Sequence, residues 1–177
     1  MNPADQNRRL ESLIRHGTIA EVNPGAARCR VKSGGLLTDW LLWFTPAAGE
    51  DTEWRVPSIG EQAVALCPSG DPGVGFVLVG FFSDQFPAPD DSTTNRARHY
   101  RDGAVVAYDS ATSTLTATLP DGGKAAIIAP GGISVVGDVT ITGTVTVSDD
   151  VIAAGISLVN HRHLGVTPGN GTTGQPI

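Results

Sequence analysis

The sequence predicts a mainly β protein in three parts: a short N-terminal helix, a small closed barrel, and a β-fibre that three chains build together. Three observations carry this. Residues 17–83 break into five short apolar runs separated by Gly- and Pro-rich turns. Residues 131–163 fall into sixes, each opened by Gly131, Gly137, Gly143, Asp149 or Gly155. The chain has 22 Gly and 12 Pro among 177 residues, a composition that favours turns and short strands over long helices.

The helix is expected over Asp5 to His16, where Leu10, Leu13 and Ile14 make a narrow apolar stripe and Gly17 is a natural stop. The five runs that follow are Thr18–Val22, Arg28–Val31, Trp40–Phe44, Gln62–Leu66 and Val74–Phe82. Five strands in about seventy residues point to a closed barrel of the OB type. Cys29 and Cys67 match no metal spacing and read as reduced core thiols. Gly70-Asp-Pro-Gly-Val-Gly75 lacks the Lys-Ser/Thr of a phosphate loop and reads as a hairpin turn.

A Pro- and Asp-rich stretch, Asp84 to Asn95, serves as a linker. Beyond it Ala104–Tyr108, Thr114–Leu119 and Lys124–Ile128 alternate like strands and lead straight into the hexads. The expected divisions are therefore a helix over 1–16, a barrel with linker over 17–95, a fibre over 96–163 and a tail over 164–177.

Within the hexads, Ile133 and Val135, Val139 and Ile141, Val145 and Val147, and Val151 and Ala153 stand at the third and fifth places, with Ser, Thr and Asp between them. Strict alternation gives each strand one dry face and one wet face. A single-chain solenoid needs about eighteen residues per coil, so thirty residues cannot complete two. Three copies wound about one axis close their dry faces immediately, which predicts an intertwined homotrimeric triple-stranded β-helix.

The fibre ends in His161-Arg162-His163. Residues two apart in a strand face the same way, so both imidazoles project together. Three chains would bring six ring nitrogens to one axis, a set that suits an octahedral first-row ion better than tetrahedral zinc. Asp149 shares the parity of Val145 and Val147, which would bring three carboxylates to the axis to hold a second cation. The alternative, which is preferred, is that Asp149 and Asp150 are solvated turn residues.

Net charge is −6, from 12 Lys and Arg against 18 Asp and Glu, which argues against a nucleic-acid partner. Trp40, Trp43, Phe44 and Trp54 could form an aromatic platform, but Asp39, Glu50, Asp51 and Glu53 surround a single Arg55. Barrel core and subunit packing is the better reading. There is no Gly-x-Ser-x-Gly, no Cys/His pair and no carboxylate pair in a convincing setting, so no enzyme and no small-molecule substrate are expected. The N-terminus lacks the apolar core of a signal peptide, and the longest apolar run, Val74 to Phe82, is too short to span a bilayer.

The order of parts resembles the baseplate assembly protein V family, the central tail spikes of contractile-tailed bacteriophages and R-type pyocins. The resemblance rests on Thr38-Asp39-Trp40-Leu-Leu-Trp43, Pro57-Ser-Ile-Gly60-Glu61-Gln62, Leu66-Cys-Pro-Ser-Gly70 and Tyr100-Arg-Asp-Gly103-Ala-Val-Val-Ala-Tyr108-Asp109. It rests equally on the hexads, His161-Arg-His163 and Gly171-Thr-Thr-Gly174. It implies a homotrimer with an OB-fold collar under the tail hub, and a virion structural protein of the baseplate made in the host cytoplasm. It also implies a membrane-piercing tip, aimed at the host outer membrane, in which His161 and His163 hold one iron ion per trimer. Two rival readings remain: an OB-type binding module carrying a receptor-adhesin fibre, and a hexapeptide-repeat acyltransferase with His161 or His163 as general base.

Overall fold

The computed structural model describes residues 2–165 and 169–170. The expected Gly171-Thr-Thr-Gly174 feature and most of the predicted tail lie outside the described residues. Two compact units are present, residues 1–124 and 125–177.

The first unit begins with helix α1, Pro3–Ser12, capped by the Asn2 side chain, which accepts the Ala4 amide at 3.1 Å. Here the expectation of a helix reaching His16 is corrected. Strand β1, Ile14–Asn23, takes over because Ile14, Arg15 and His16 pair with Leu66, Ala65 and Val64. Tertiary pairing of this segment outweighs a weak helical stripe. Gly17 is therefore a strand residue. A Cβ there would collide with the Lys32 carbonyl oxygen, so its role is close approach to the neighbouring strand and not helix termination.

Strands β2 (Arg28–Ser33), β3 (Leu36–Leu37), β4 (Leu41–Trp43), β5 (Gln62–Leu66) and β6 (Phe76–Phe81) follow. Strand β1 pairs antiparallel with β2 and β5, β5 with β6, and β2 with β4, while β4 and β6 run parallel. The circuit β1-β2-β4-β6-β5-β1 closes a five-stranded barrel of OB type, with β3 extending the β2 edge. The turn expected at residues 70–75 does join β5 to β6 in an antiparallel pair.

Alternate inward residues fill the barrel: Ile19, Cys29, Val31, Leu41, Ala63, Ala65, Cys67 and Val77 are all buried. Both cysteines are free thiols in this core, as the sequence predicts. Trp43 packs against it and Trp40 is half-buried, whereas Phe44 and Trp54 are more than half exposed, so within the chain the barrel-core part of the expected core and subunit packing is met by Trp43.

After the barrel, β7 (Asn95–His99), β8 (Val105–Asp109) and β9 (Thr114–Thr118) form an antiparallel meander. The predicted strand at Lys124–Ile128 is not formed within the chain.

In the second unit the hexads make no ladder within one chain, and Ile133, Val135, Val139, Ile141, Val145, Val147 and Val151 are between 44% and 68% exposed. The six-residue period is nevertheless written into the backbone. Gly137 and Gly143 share the same φ of +132°, and the chain bends at both and again at Ser148-Asp149.

One expectation fails at the next repeat. Gly155 does not open another outward strand. The pair β10 (Ile152–Ala153) and β11 (Ile156–Ser157) is a hairpin with Ile152 opposite Ser157 and Ala153 opposite Ile156. Its loop residues Ala154 and Gly155 have φ of +49° and +83°, the pair of left-handed conformations that a type I′ turn requires. Among the described residues, no helix is long and apolar enough to cross a membrane.

Candidate metal centre

The site is built from the hairpin upward. Asp150 sits just before β10, and its Oδ1 accepts the Val151 amide at 2.8 Å and the Val159 amide at 3.1 Å. The nearby Ser157 hydroxyl favours the ionised form of the same carboxylate, and the Leu158 amide donates to the Val151 carbonyl at 2.9 Å. The bonds to the carboxylate, with Ser157 first among them, hold the Asp150 carboxyl below its ordinary range. Asp150 is half-buried and fully engaged in the backbone around it, whereas Asp149 is exposed at a bend. The turn reading of this pair is thus right in kind but incomplete, because Asp150 is the internal fastening of the hairpin.

The hairpin in turn places His161. The Ser157 carbonyl accepts the His161 amide at 3.1 Å, and the Ser157 hydroxyl accepts the Asn160 amide at 2.8 Å. The His161 ring folds back so that Nδ1 lies 3.1 Å from the Ser157 carbonyl oxygen and 3.0 Å from that of Leu158. Carbonyl oxygens only accept, so Nδ1 carries the proton and Nε2 keeps the lone pair that a metal uses.

No strand runs through residues 161–163, yet the His161 and His163 rings stand edge to face with centroids 5.1 Å apart. Among the described residues, no three His, Cys, Asp or Glu side chains of one chain converge on a point. One chain therefore presents two imidazole donors, a chemically suitable but incomplete set for a transition metal.

The residues 15–82 match the family described as the type VI secretion system and phage-baseplate injector OB domain. The residues 155–176 match the GpV apex motif, so Gly155 of the hairpin turn, His161 and His163 all fall within it. The chain is also 43% identical over 109 residues to the spike protein of Escherichia phage P2, covering 62% of this chain and 52% of that protein. In its barrel and its apex the chain is similar to the phage baseplate spike family. The chain spans about half the length of the curated relative it matches.

The first unit carries a second feature that sequence order conceals. A groove of about 720 Å³ is lined by Phe44, Trp54 and Arg55 of the barrel and by Arg98, Tyr100 and Arg101 of the meander. Trp54 stacks at a tilt on Trp43 with centroids 5.5 Å apart, and Arg98 reaches Glu53 at 3.5 Å. The local charge balance read from sequence counts only Arg55. Two further guanidiniums arrive from more than forty residues away, and no local window can show them.

Proposed function

We propose that this chain is the piercing spike at the tip of a contractile phage or pyocin tail, acting as an intertwined homotrimer whose OB collar docks under the tail hub. The observation that carries the reading is the second unit. Seven β-branched side chains at alternate places stand open along residues 133–151, on a backbone that bends every six residues. A single chain has nothing to bury them against, and an apolar row of that length is unstable in water unless covered. Three chains wound about one axis as a triple-stranded β-helix cover all three rows at once.

The role is mechanical. Sheath contraction drives the spike against the host outer membrane, and the spike has only to transmit force without buckling. Interwound chains resist shear because sliding one of them breaks many seam contacts together. At the tip, His161 and His163 of three chains supply six imidazole nitrogens, a donor set for one iron ion per trimer. A metal there ties together strand ends that would otherwise fray. The His161 ring, with Nδ1 engaged on backbone carbonyls and Nε2 free, has the tautomer this role needs.

Native mass measurement of the purified chain tests the proposal. Three copies per particle at micromolar concentration, with fragment 96–177 retaining the association, are the expected result. A monomer removes the fibre and with it the spike.

A further inference from the structure

We propose that Asp150 is a positioning residue for the metal centre, setting the orientation and tautomer of His161 through the hairpin that its carboxylate fastens. This rests on the reading of His161 and His163 as metal ligands.

The path is short and continuous. Asp150 accepts the amides of Val151 and Val159, residues on the two sides of the β10–β11 hairpin, and the nearby Ser157 hydroxyl helps to keep its carboxyl ionised. Its carboxylate therefore clamps both legs at the open end of the hairpin, away from the Ala154-Gly155 turn. The clamped segment 157–159 is the one whose carbonyls at Ser157 and Leu158 receive His161 Nδ1. If those legs separate, the two carbonyls no longer converge on the ring. The ring then has no reason to keep its proton on Nδ1, and Nε2 is no longer reserved for a metal. Metal-binding histidines generally depend on such outer partners, and losing one typically weakens binding about 10- to 100-fold.

The chemistry separates Asp150 from its neighbour. Asp149 is exposed at a bend, and no hydrogen bond to its side chain is formed within the described residues, whereas every contact of Asp150 lies inside the hairpin. It also separates two substitutions. In Asp150→Asn, the amide oxygen can still accept both backbone N–H groups. In Asp150→Ala, both are left without a partner.

The test uses the full-length protein in its native assembly. Imidazole 15N resonances of the metal-free protein, at mildly alkaline pH, report the His161 tautomer directly. Wild type and Asp150→Asn should show His161 with the proton on Nδ1, and Asp150→Ala should show a mixture. After loading with ferrous iron and chasing with a chelator, Asp150→Ala should release iron about ten-fold faster or more, and Asp150→Asn should stay near wild type. An alanine variant with an unshifted His161 tautomer and unchanged iron release overturns the proposal. So does an alanine variant that loses the wild-type oligomeric mass, since Asp150 would then hold up the fold and not the ligand. A His161→Ala/His163→Ala variant that keeps its iron overturns the metal reading instead, and the tautomer measurement then decides the role of Asp150.

Discussion

The carboxylate of Glu61 accepts the backbone amide of Gly80 at 2.9 Å, joining the start of β5 to the end of β6 across nineteen residues. The same side chain, only 5% exposed, also accepts the Ser58 amide at 2.9 Å and the Arg55 guanidinium at 2.8 Å. Its own backbone carbonyl accepts the Ile19 amide at 2.9 Å. One buried acid thus ties the 55–60 loop, β1 and β6 to the barrel, and fixes one wall of the aromatic groove.

Replacing Glu61 with Ala leaves two backbone amides without their partner. Arg55 is largely exposed and is re-solvated at little cost, so the amides dominate. The expected loss is about 2–3 kcal/mol of barrel stability, on the scale for unsatisfied buried donors. Urea unfolding followed by Trp fluorescence measures it. Unchanged stability would mean that water replaces the carboxylate.

The two thiols should behave as core residues. Burial pushes Cys29 up to about 11, with the Glu61 carboxylate adding to the effect, and burial also raises Cys67. A raised thiol pKa favours the neutral form in the folded state. The associated stability is fully present below the unfolded thiol value of about 8.5 and is lost as pH rises toward the folded one. A thiol reagent at neutral pH should therefore modify neither cysteine in the folded protein and both after denaturation. Rapid labelling of the native protein would show that the barrel opens readily.

The Asp150 clamp should fail in acid. Its carboxyl is held low by the Ser157 hydroxyl and by the backbone amides of Val159, Val151 and Leu158. A depressed carboxyl contributes stability that is present above the unfolded value of about 3.9 and is lost as pH falls through the folded one. Amide hydrogen exchange at Val159 should be protected at neutral pH and should lose protection only in acid below the ordinary aspartate range, after correction for the intrinsic exchange rate.

Much of the barrel is readable from sequence because each strand carries its own alternation and its own turns. The run Gln62–Leu66 coincides with β5 residue for residue, and β2, β4 and β6 agree to within two. Strand β7 is invisible by that method: Asn95-Arg-Ala-Arg-His99 has one apolar residue, and its strand state comes from pairing with Val105–Asp109. The end of α1 is misread because Leu13 and Ile14 fit a helical stripe as well as a strand, and only Leu66 across the barrel decides. In the hexads, alternation reveals a strand in search of a partner but not which chain supplies it. At the apex, Asp149-Asp150 reads as turn chemistry in both residues, and nothing local distinguishes the exposed one from the clamp. The adjacency of His161 and His163 is legible from their spacing. The carbonyls that set the His161 ring are not, because they depend on a hairpin whose Ala154-Gly155 turn has the pattern of one more repeat.

The iron content of the native particle is the sharpest test of a metal-tipped trimeric spike. Protein purified without an affinity tag should contain one iron ion for every three chains, and His161→Ala/His163→Ala should contain none while keeping the trimer mass. A metal-free wild-type trimer, or a double variant that retains its iron, would contradict it.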